Sequence, residues 1–171
     1  MKIATCSIVA LFMFSGIVSC RAEDMKNPGA MTISPSGLKL GASSAKTEWL
    51  TSFDAAKKEA AKRKLPILAD FSGSDWCGWC MKLEKEVFSS PAFKKYASEN
   101  LVLLLVDFPH KKHQSADLKL QNKKLAEQFG VKGYPTVILM DAEGTLLGQT
   151  GYQEGGGEKY VAHLKELLTT K

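Results

Sequence analysis

Apolar residues form short, nearly continuous runs in the part of the chain beyond residue 65. The clearest runs are Ile67–Phe71, Leu101–Val106 and Thr136–Met140. Apolar runs of this length between turn residues predict strands buried in a sheet. The sequence Asp141–Gly144 is typical of a tight turn, so Thr145–Thr150 is predicted to return as the second strand of a hairpin.

Between these runs, apolar residues recur every three or four positions, which predicts amphipathic helices. The first predicted helix follows Ser52 or Asp54, and the second runs from about Cys77 to Phe88. The third starts at Ser90–Pro91, the fourth stops at Gly130, and the last follows the glycines at 155–157. The elements therefore occur in the order βαβ and then ββα. This order predicts an α/β fold in which helices flank a mixed central sheet.

The N-terminal segment has a different pattern. Residues 1–20 carry one charge, Lys2, and an apolar stretch from Ile3 to Val18. A helix that spans a membrane needs about 20 apolar residues, and this stretch is shorter, so we interpret residues 1–20 as an export signal. Residues 21–46 are rich in Pro, Gly, Ser and Ala and are predicted to be a flexible tether, which leaves 47–171 for the folded domain.

The signal ends in Ile17-Val18-Ser19-Cys20, which resembles the lipobox of bacterial lipoproteins. In a lipobox, small residues precede a cysteine that is lipidated and becomes the mature N-terminus. The resemblance predicts a lipid on Cys20 and a membrane tether through it. The alternative is simple cleavage nearby, although Arg21 fits a small-x-small cleavage pattern poorly. Either outcome predicts a location in the periplasm or cell envelope.

Composition narrows the function classes. The chain has 171 residues, 44% of them hydrophobic and 24% charged, which suits one globular domain with a short appendage. The net charge is +5, but the lysines are scattered over helices and are not grouped with aromatic residues, so nucleic acid is not an expected partner. Four cysteines are too few for a disulfide-stapled scaffold, and Cys77 and Cys80 are the one close pair.

Cys77 and Cys80 stand at the predicted turn from a buried strand into a helix. Two cysteines three positions apart at a helix start lie on one side and can close a small disulfide ring. The helix N-terminus favours a thiolate, so Cys77 is predicted to be the nucleophile. Cys80 is predicted to be more buried and to resolve mixed disulfides. A static structural disulfide is the alternative.

A metal site is a further alternative for this motif. Cys77 and Cys80 with His110 and His113 read as C-x₂-C followed by H-x₂-H, but this histidine spacing is shorter than that of most zinc sites. A haem attachment site needs His after the second cysteine, where Met81 stands. We therefore expect neither a metal nor another cofactor.

Three segments together resemble the thioredoxin superfamily in order and spacing. They are Pro66–Phe71, Trp76–Cys80 and Gly133–Thr136. The stretch Asp75–Phe88 and the pair Gly151-Tyr152 are most similar to the C-terminal thioredoxin-like domain of the DsbD family and to stand-alone periplasmic DsbH-like oxidoreductases. The resemblance covers about residues 47–171 and implies a thioredoxin fold there.

The resemblance also implies roles for single residues. Pro135 matches a cis proline that packs against the disulfide, which leaves the Tyr134 backbone to pair with an extended substrate. Asp70 matches a buried acid that helps to deprotonate the resolving thiol. Trp76 is assigned to packing at the substrate-binding surface, and Trp79 either contacts substrate or covers the sulfurs. The loop at 72–75 is one residue longer than in typical thioredoxins, which leaves the reach from Asp70 to the resolving thiol open.

Taken together, these features predict an exported thiol:disulfide oxidoreductase that works through Cys77 and Cys80, mainly as a reductant. Its expected partners are exported proteins with disulfides and a membrane or periplasmic thiol that supplies electrons. The alternatives are a disulfide isomerase or oxidant of the same fold, a zinc- or copper-handling module, and a binding lipoprotein with a vestigial fold.

Overall fold

The apolar runs form the middle of a five-stranded sheet in the computed structural model, which describes residues 48–169. The strands are β1 (Trp49–Leu50), β2 (Ile67–Ser72), β3 (Val102–Asp107), β4 (Thr136–Met140) and β5 (Leu146–Thr150), in the order β1-β3-β2-β4-β5. The β1, β3 and β2 strands are parallel, whereas β4 is antiparallel to both β2 and β5. The predicted mixed sheet is confirmed, and β1 is an addition that the sequence pattern did not predict.

Within residues 48–169, five α-helices and one π-helical segment surround the sheet. They are α1 (Phe53–Arg63), α2 (Gly78–Leu83), the π-helical segment Glu84–Phe88, α3 (Pro91–Asn100), α4 (Ala116–Gln128) and α5 (Gly156–Thr169). Of the two proposed caps for α1, Ser52 is the N-cap, because its hydroxyl accepts from the Ala55 N–H. Ser90 caps α3 in the same way, with Pro91 in the first turn.

The predicted helix from about Cys77 to Phe88 is present, but its second half, Glu84–Phe88, is π-helical. The Ser89 N–H donates to the Glu84 carbonyl at 2.8 Å, the spacing of five residues that defines a π turn. This segment packs against the start of α5, where a Cβ on Gly157 would lie 3.4 Å from the Val87 carbonyl oxygen. The wider turn thus occurs where another helix approaches the backbone closely.

Alternation along β2 directs side chains to the two faces of the sheet. Ile67, Ala69 and Phe71 join one apolar core, which packs against α1 and α4. Leu68 joins the other core, which packs against the π-helical segment, α3 and α5. Asp70 lies two positions after Leu68 and therefore on the same face of the sheet. Its carboxyl group thus lies on the side that α2 covers.

The predicted export signal (1–20), the tether (21–46) and the lipidation site Cys20 lie outside the described residues. Within 48–169, no helix combines the length and the apolar character that crossing a membrane requires.

Candidate active site

Cys77 and Cys80 form a disulfide at the start of α2, just after the loop that leaves β2. Their Cα atoms are 5.3 Å apart. Cys77 is the N-cap of α2, and its Sγ accepts a hydrogen bond from the Cys80 N–H at 3.2 Å. Cys77 is 8% exposed and Cys80 is 4% exposed. The first sulfur therefore lies at the positive end of the helix, nearer to solvent, and the second lies one turn inside.

Asp70 and Cys80 line the same cavity of about 570 Å³, together with Ser72 and Glu84. Asp70 and Cys80 thus border one cavity although the loop at 72–75 is longer. Asp70 is buried, and its Oδ1 has no hydrogen-bond partner among the described residues. Burial, and secondarily the charge of Glu84, raises the pKa of Asp70 from 3.8 to about 7. The group can thus hold or release a proton near neutral pH.

Trp76 is fixed on several sides. Its indole Nε1–H donates to the Phe108 carbonyl at 2.7 Å. The His110 ring stacks on it in parallel at 4.5 Å, and Tyr134 meets it edge-on at 5.7 Å. Trp76 is therefore packed between two loops, and its part in binding substrate stays a prediction. The ring remains 40% exposed, so it also forms part of the surface beside the disulfide.

Asp75 binds the loop that follows β3, a role that sequence reasoning missed. Its carboxylate accepts from the backbone N–H groups of His110, Lys111 and Lys112 at 2.9, 2.7 and 3.1 Å. These bonds, that from His110 above all, hold the pKa of Asp75 below its ordinary value. The neighbouring Ser74 donates from its N–H and its hydroxyl to Asp107. We call this set of hydrogen bonds the clasp.

The Tyr134–Pro135 peptide bond is cis, as the resemblance implies. Tyr134 is partly buried between Trp76 and Phe108, with its ring 5.3 Å from that of Phe108. Gly151 lies behind this turn, where a Cβ would come within 3.2 Å of the Pro135 carbonyl oxygen. The close approach explains why glycine stands directly before Tyr152.

Trp79 lies on the outer face of α2 and is 57% exposed. Its ring packs against Tyr152 at 5.4 Å, and the Lys82 ammonium lies 5.1 Å from the Trp79 ring and 4.9 Å from the Tyr152 ring. The Tyr152 hydroxyl donates to Glu86 at 2.6 Å. The Trp79 ring is thus presented to solvent, and its contact with substrate stays a prediction.

The structure does not assemble the four-residue zinc site that was considered as an alternative. Cys77 and Cys80 are bonded to each other, and His110 stacks on Trp76. Among residues 48–169, no three His, Cys, Asp or Glu side chains are grouped closely enough to hold a metal ion.

Comparison with known proteins places this site in a family. The profile of the Thioredoxin-like domain matches residues 53–167. The Disulfide bond reductase DsbH of Chlamydia pneumoniae is 37% identical over 72% of this chain and 74% of its own length. The Thiol:disulfide interchange protein DsbD of Pectobacterium atrosepticum is 31% identical over 62% of this chain but only 17% of its own length.

A solved structure titled DsbH Oxidoreductase agrees with these matches. It is 34% identical, has a TM-score of 0.70, and covers 81% of this chain and 96% of the solved one. The chain belongs to the thioredoxin-like family and is a thiol:disulfide oxidoreductase of the DsbH type with a Cys77–Cys80 disulfide.

Proposed function

We propose that this protein is an exported reductant of protein disulfides, with Cys77 as the attacking and Cys80 as the resolving cysteine. The observation that carries the proposal is the Cys77–Cys80 disulfide at the N-terminus of α2, next to an exposed aromatic surface. The name of the 37% identical relative, a disulfide bond reductase, supports the same direction of electron flow.

In the dithiol form, the Cys77 thiolate attacks one sulfur of a client disulfide, and the other client sulfur leaves as a thiolate. Cys80 then loses its proton and attacks the Cys77 sulfur, which closes the Cys77–Cys80 disulfide and releases the second client sulfur. Two electrons pass to the client. A membrane or periplasmic thiol donor of the same two electrons would restore the dithiol form.

The surroundings of the two sulfurs suit these different roles. The Cys80 N–H points at Cys77 Sγ, and such a bond at a helix N-terminus stabilises a thiolate. Asp70 shares the cavity with Cys80 and takes up a proton near neutral pH. We therefore assign Asp70 as the group that accepts the Cys80 proton before the resolving step.

The two cysteine roles can be tested by trapping clients. Cys80→Ala is expected to accumulate mixed disulfides between Cys77 and its clients, because attack can occur and resolution cannot. Cys77→Ala is the matched control and should trap far less. Non-reducing gels of cell extracts measure both. Equal trapping by the two variants would contradict the assignment.

The role of Asp70 can be tested through its pKa. Because the folded-state pKa is raised, the folded protein keeps its proton while the unfolded chain ionises, so stability is lost as pH rises from about 4 to 7. A pKa of about 7 in place of 3.8 corresponds to about 4 kcal/mol of unfolding free energy. Asp70→Asn should therefore be more stable than the native protein above pH 7 and similar to it near pH 4.

Urea unfolding across this pH range checks the stability effect. Client reduction should also lose its inflection near pH 7 in Asp70→Asn, because no carboxylate then accepts the Cys80 proton. An unchanged pH profile in this variant would remove Asp70 from the mechanism while leaving the cysteine roles in place.

The expected direction of electron transfer depends on the residue at position 79. A histidine between the cysteines could stabilise the Cys77 thiolate and make the disulfide oxidising, whereas Trp79 supplies no such charge. We expect a reduction potential of about −270 to −200 mV, measured against glutathione buffers. A value above about −150 mV on that scale, or a pair found fully oxidised in cells, would instead favour an oxidant. Refolding of a substrate protein with scrambled disulfides distinguishes a reductant from the isomerase alternative.

Export and anchoring form a separate part of the proposal. We infer from the sequence 17–20 that Cys20 carries the lipid at the mature N-terminus. Stable anchoring would need several acyl chains, because a single chain binds membranes only marginally. Mass spectrometry of the native protein is expected to find this modification, and an unmodified N-terminus at or beyond Arg21 would reject it.

A further inference from the structure

A second cavity, of about 420 Å³, lies beside Trp76 and is walled by Trp76, the loop after β3 at 108–110, Tyr134 and side chains of α4. Trp76 directly precedes Cys77, and Tyr134 directly precedes the cis proline. The cavity therefore adjoins the surface on which a client disulfide must lie to reach Cys77. We call it the side cavity.

The ionisable groups that line the side cavity are basic apart from the Tyr134 phenol. They are His110, Lys119 and Lys123, and no carboxyl side chain lines the cavity. Lys119 has no ion-pair partner within residues 48–169. Lys123 lies 3.9 Å from Glu127, but both side chains are mostly exposed, and an exposed pair of this kind contributes little and exchanges readily.

The two side-chain amides that line the cavity already donate hydrogen bonds within the protein. Gln114 and Asn122 both donate their side-chain amides to the Asp107 carbonyl, at 3.1 and 2.9 Å. The groups that remain to recognise an occupant are therefore the aromatic rings, the Tyr134 hydroxyl, the His110 imidazole and the lysine ammonium groups. This combination suits a carboxylate next to an apolar side chain.

The walls are also held in place before anything binds. The clasp fixes the backbone of 110–112, and the Trp76 indole is hydrogen-bonded to Phe108. A site whose walls are already ordered loses little conformational entropy on binding. The aromatic wall of the cavity is thus presented in a fixed position beside Cys77.

We propose that the side cavity selects client segments that carry Asp or Glu close to the cysteine under attack. An extended segment advances about 3.3 Å per residue, so a carboxylate two or three positions from the client cysteine can pass Trp76 and reach Lys119 and Lys123. The inference rests on the proposed function, because it names the substrate class of the same redox site.

The test uses two synthetic peptides, each closed by one disulfide, that differ only in Glu or Gln two positions from the reactive cysteine. The native dithiol protein is expected to reduce the Glu peptide with about tenfold higher kcat/KM at low ionic strength, and this ratio should shrink at high salt. The double variant Lys119→Glu, Lys123→Glu should abolish or invert the ratio.

The matched control is Lys95→Glu, Lys124→Glu, which changes the net charge equally at exposed positions of α3 and α4 that do not line the side cavity. This control should retain the native ratio. A ratio near one in the native protein would overturn the proposal. Equal loss of the ratio in both double variants would also overturn it, because the preference would then come from overall charge.

Failure of the proposed function would look different. In that case neither peptide is reduced, and Cys80→Ala traps no client. Binding of the same two peptides to Cys77→Ser, Cys80→Ser protein, followed by fluorescence anisotropy, then still decides whether the side cavity prefers the carboxylate.

Discussion

The two tryptophans that flank the first cysteine differ in how the protein holds them. Trp76 is attached through its Nε1–H to the Phe108 carbonyl, and two other rings pack on it. Trp79 is held through its ring, by Tyr152 and the Lys82 ammonium, and is 57% exposed against 40% for Trp76. One indole joins two loops, whereas the other presents its ring to solvent. Two tryptophans three positions apart at the same disulfide are thus held in different ways, one through a backbone hydrogen bond and the other through its ring.

Within this comparison of the two tryptophans, the largest expected effect comes from replacing each of them in turn by alanine. Trp76→Ala should lower the free energy of unfolding by about 2 to 3 kcal/mol, because it removes a hydrogen bond and two aromatic contacts at a partly buried site. Trp79→Ala should cost less than about 1 kcal/mol, the scale of an exposed aromatic and cation contact. Urea unfolding of the oxidised proteins measures both. Equal losses would remove the distinction between the two rings.

Two glycines sharpen the same comparison with a smaller change. A Cβ on Gly73 would lie within 2.7 Å of Trp76 Nε1, and the ring cannot move away without losing its bond to Phe108. Gly73→Ala is therefore expected to destabilise the protein by about 1 to 3 kcal/mol.

The control is Gly78→Ala, between the cysteines. A Cβ there meets nothing within 4 Å, and the residue is the first of α2, so the change should be neutral or stabilise by up to about 1 kcal/mol. The difference between the two thermal unfolding midpoints is the readout. A Gly73→Ala protein as stable as Gly78→Ala would show that Trp76 is not fixed.

The smallest effect is expected at Tyr152. Tyr152→Phe keeps the ring that supports Trp79 and Lys82 and removes the hydroxyl, which donates to Glu86 and also interacts with Lys82. The Tyr152 hydroxyl is the main group that raises the pKa of Lys82, so this variant should lower that pKa, which NMR titration of the lysine can follow. The unfolding midpoint should change less than in Trp79→Ala. A larger loss than in Trp76→Ala would reverse the comparison.

The sequence predicted most of the fold because the central strands have strong local patterns. The strand Thr136–Met140 was predicted with its observed bounds, and β2 and β3 were predicted to within one residue at each end. These strands are buried on both faces, so apolar runs mark them directly. The two-residue strand Trp49–Leu50 was missed, because it has no period of its own and exists through pairing with Leu103 and Leu104.

The site was predictable where its chemistry is local in sequence. The spacing of Cys77 and Cys80 is enough to predict that they can bond. The contacts of Asp75 with the backbone of 110–112 span more than thirty residues and use donors that every residue possesses, so no pattern of side chains reveals them. The shared cavity of Asp70 and Cys80 likewise depends on how α2 crosses the sheet. The contacts that could not be predicted depend on long-range geometry and not on residue type.

The clasp has a consequence for protein engineering. The turn that carries the redox motif and the loop after β3 hold each other through Ser74, Asp75 and Trp76, so neither is an independent module. A graft of Asp75–Cys80 alone onto another scaffold of this fold would leave the Asp75 carboxylate without its backbone donors. The transferable unit is the pair of loops, 72–80 with 107–112, and a recombination design should place its crossover points outside both.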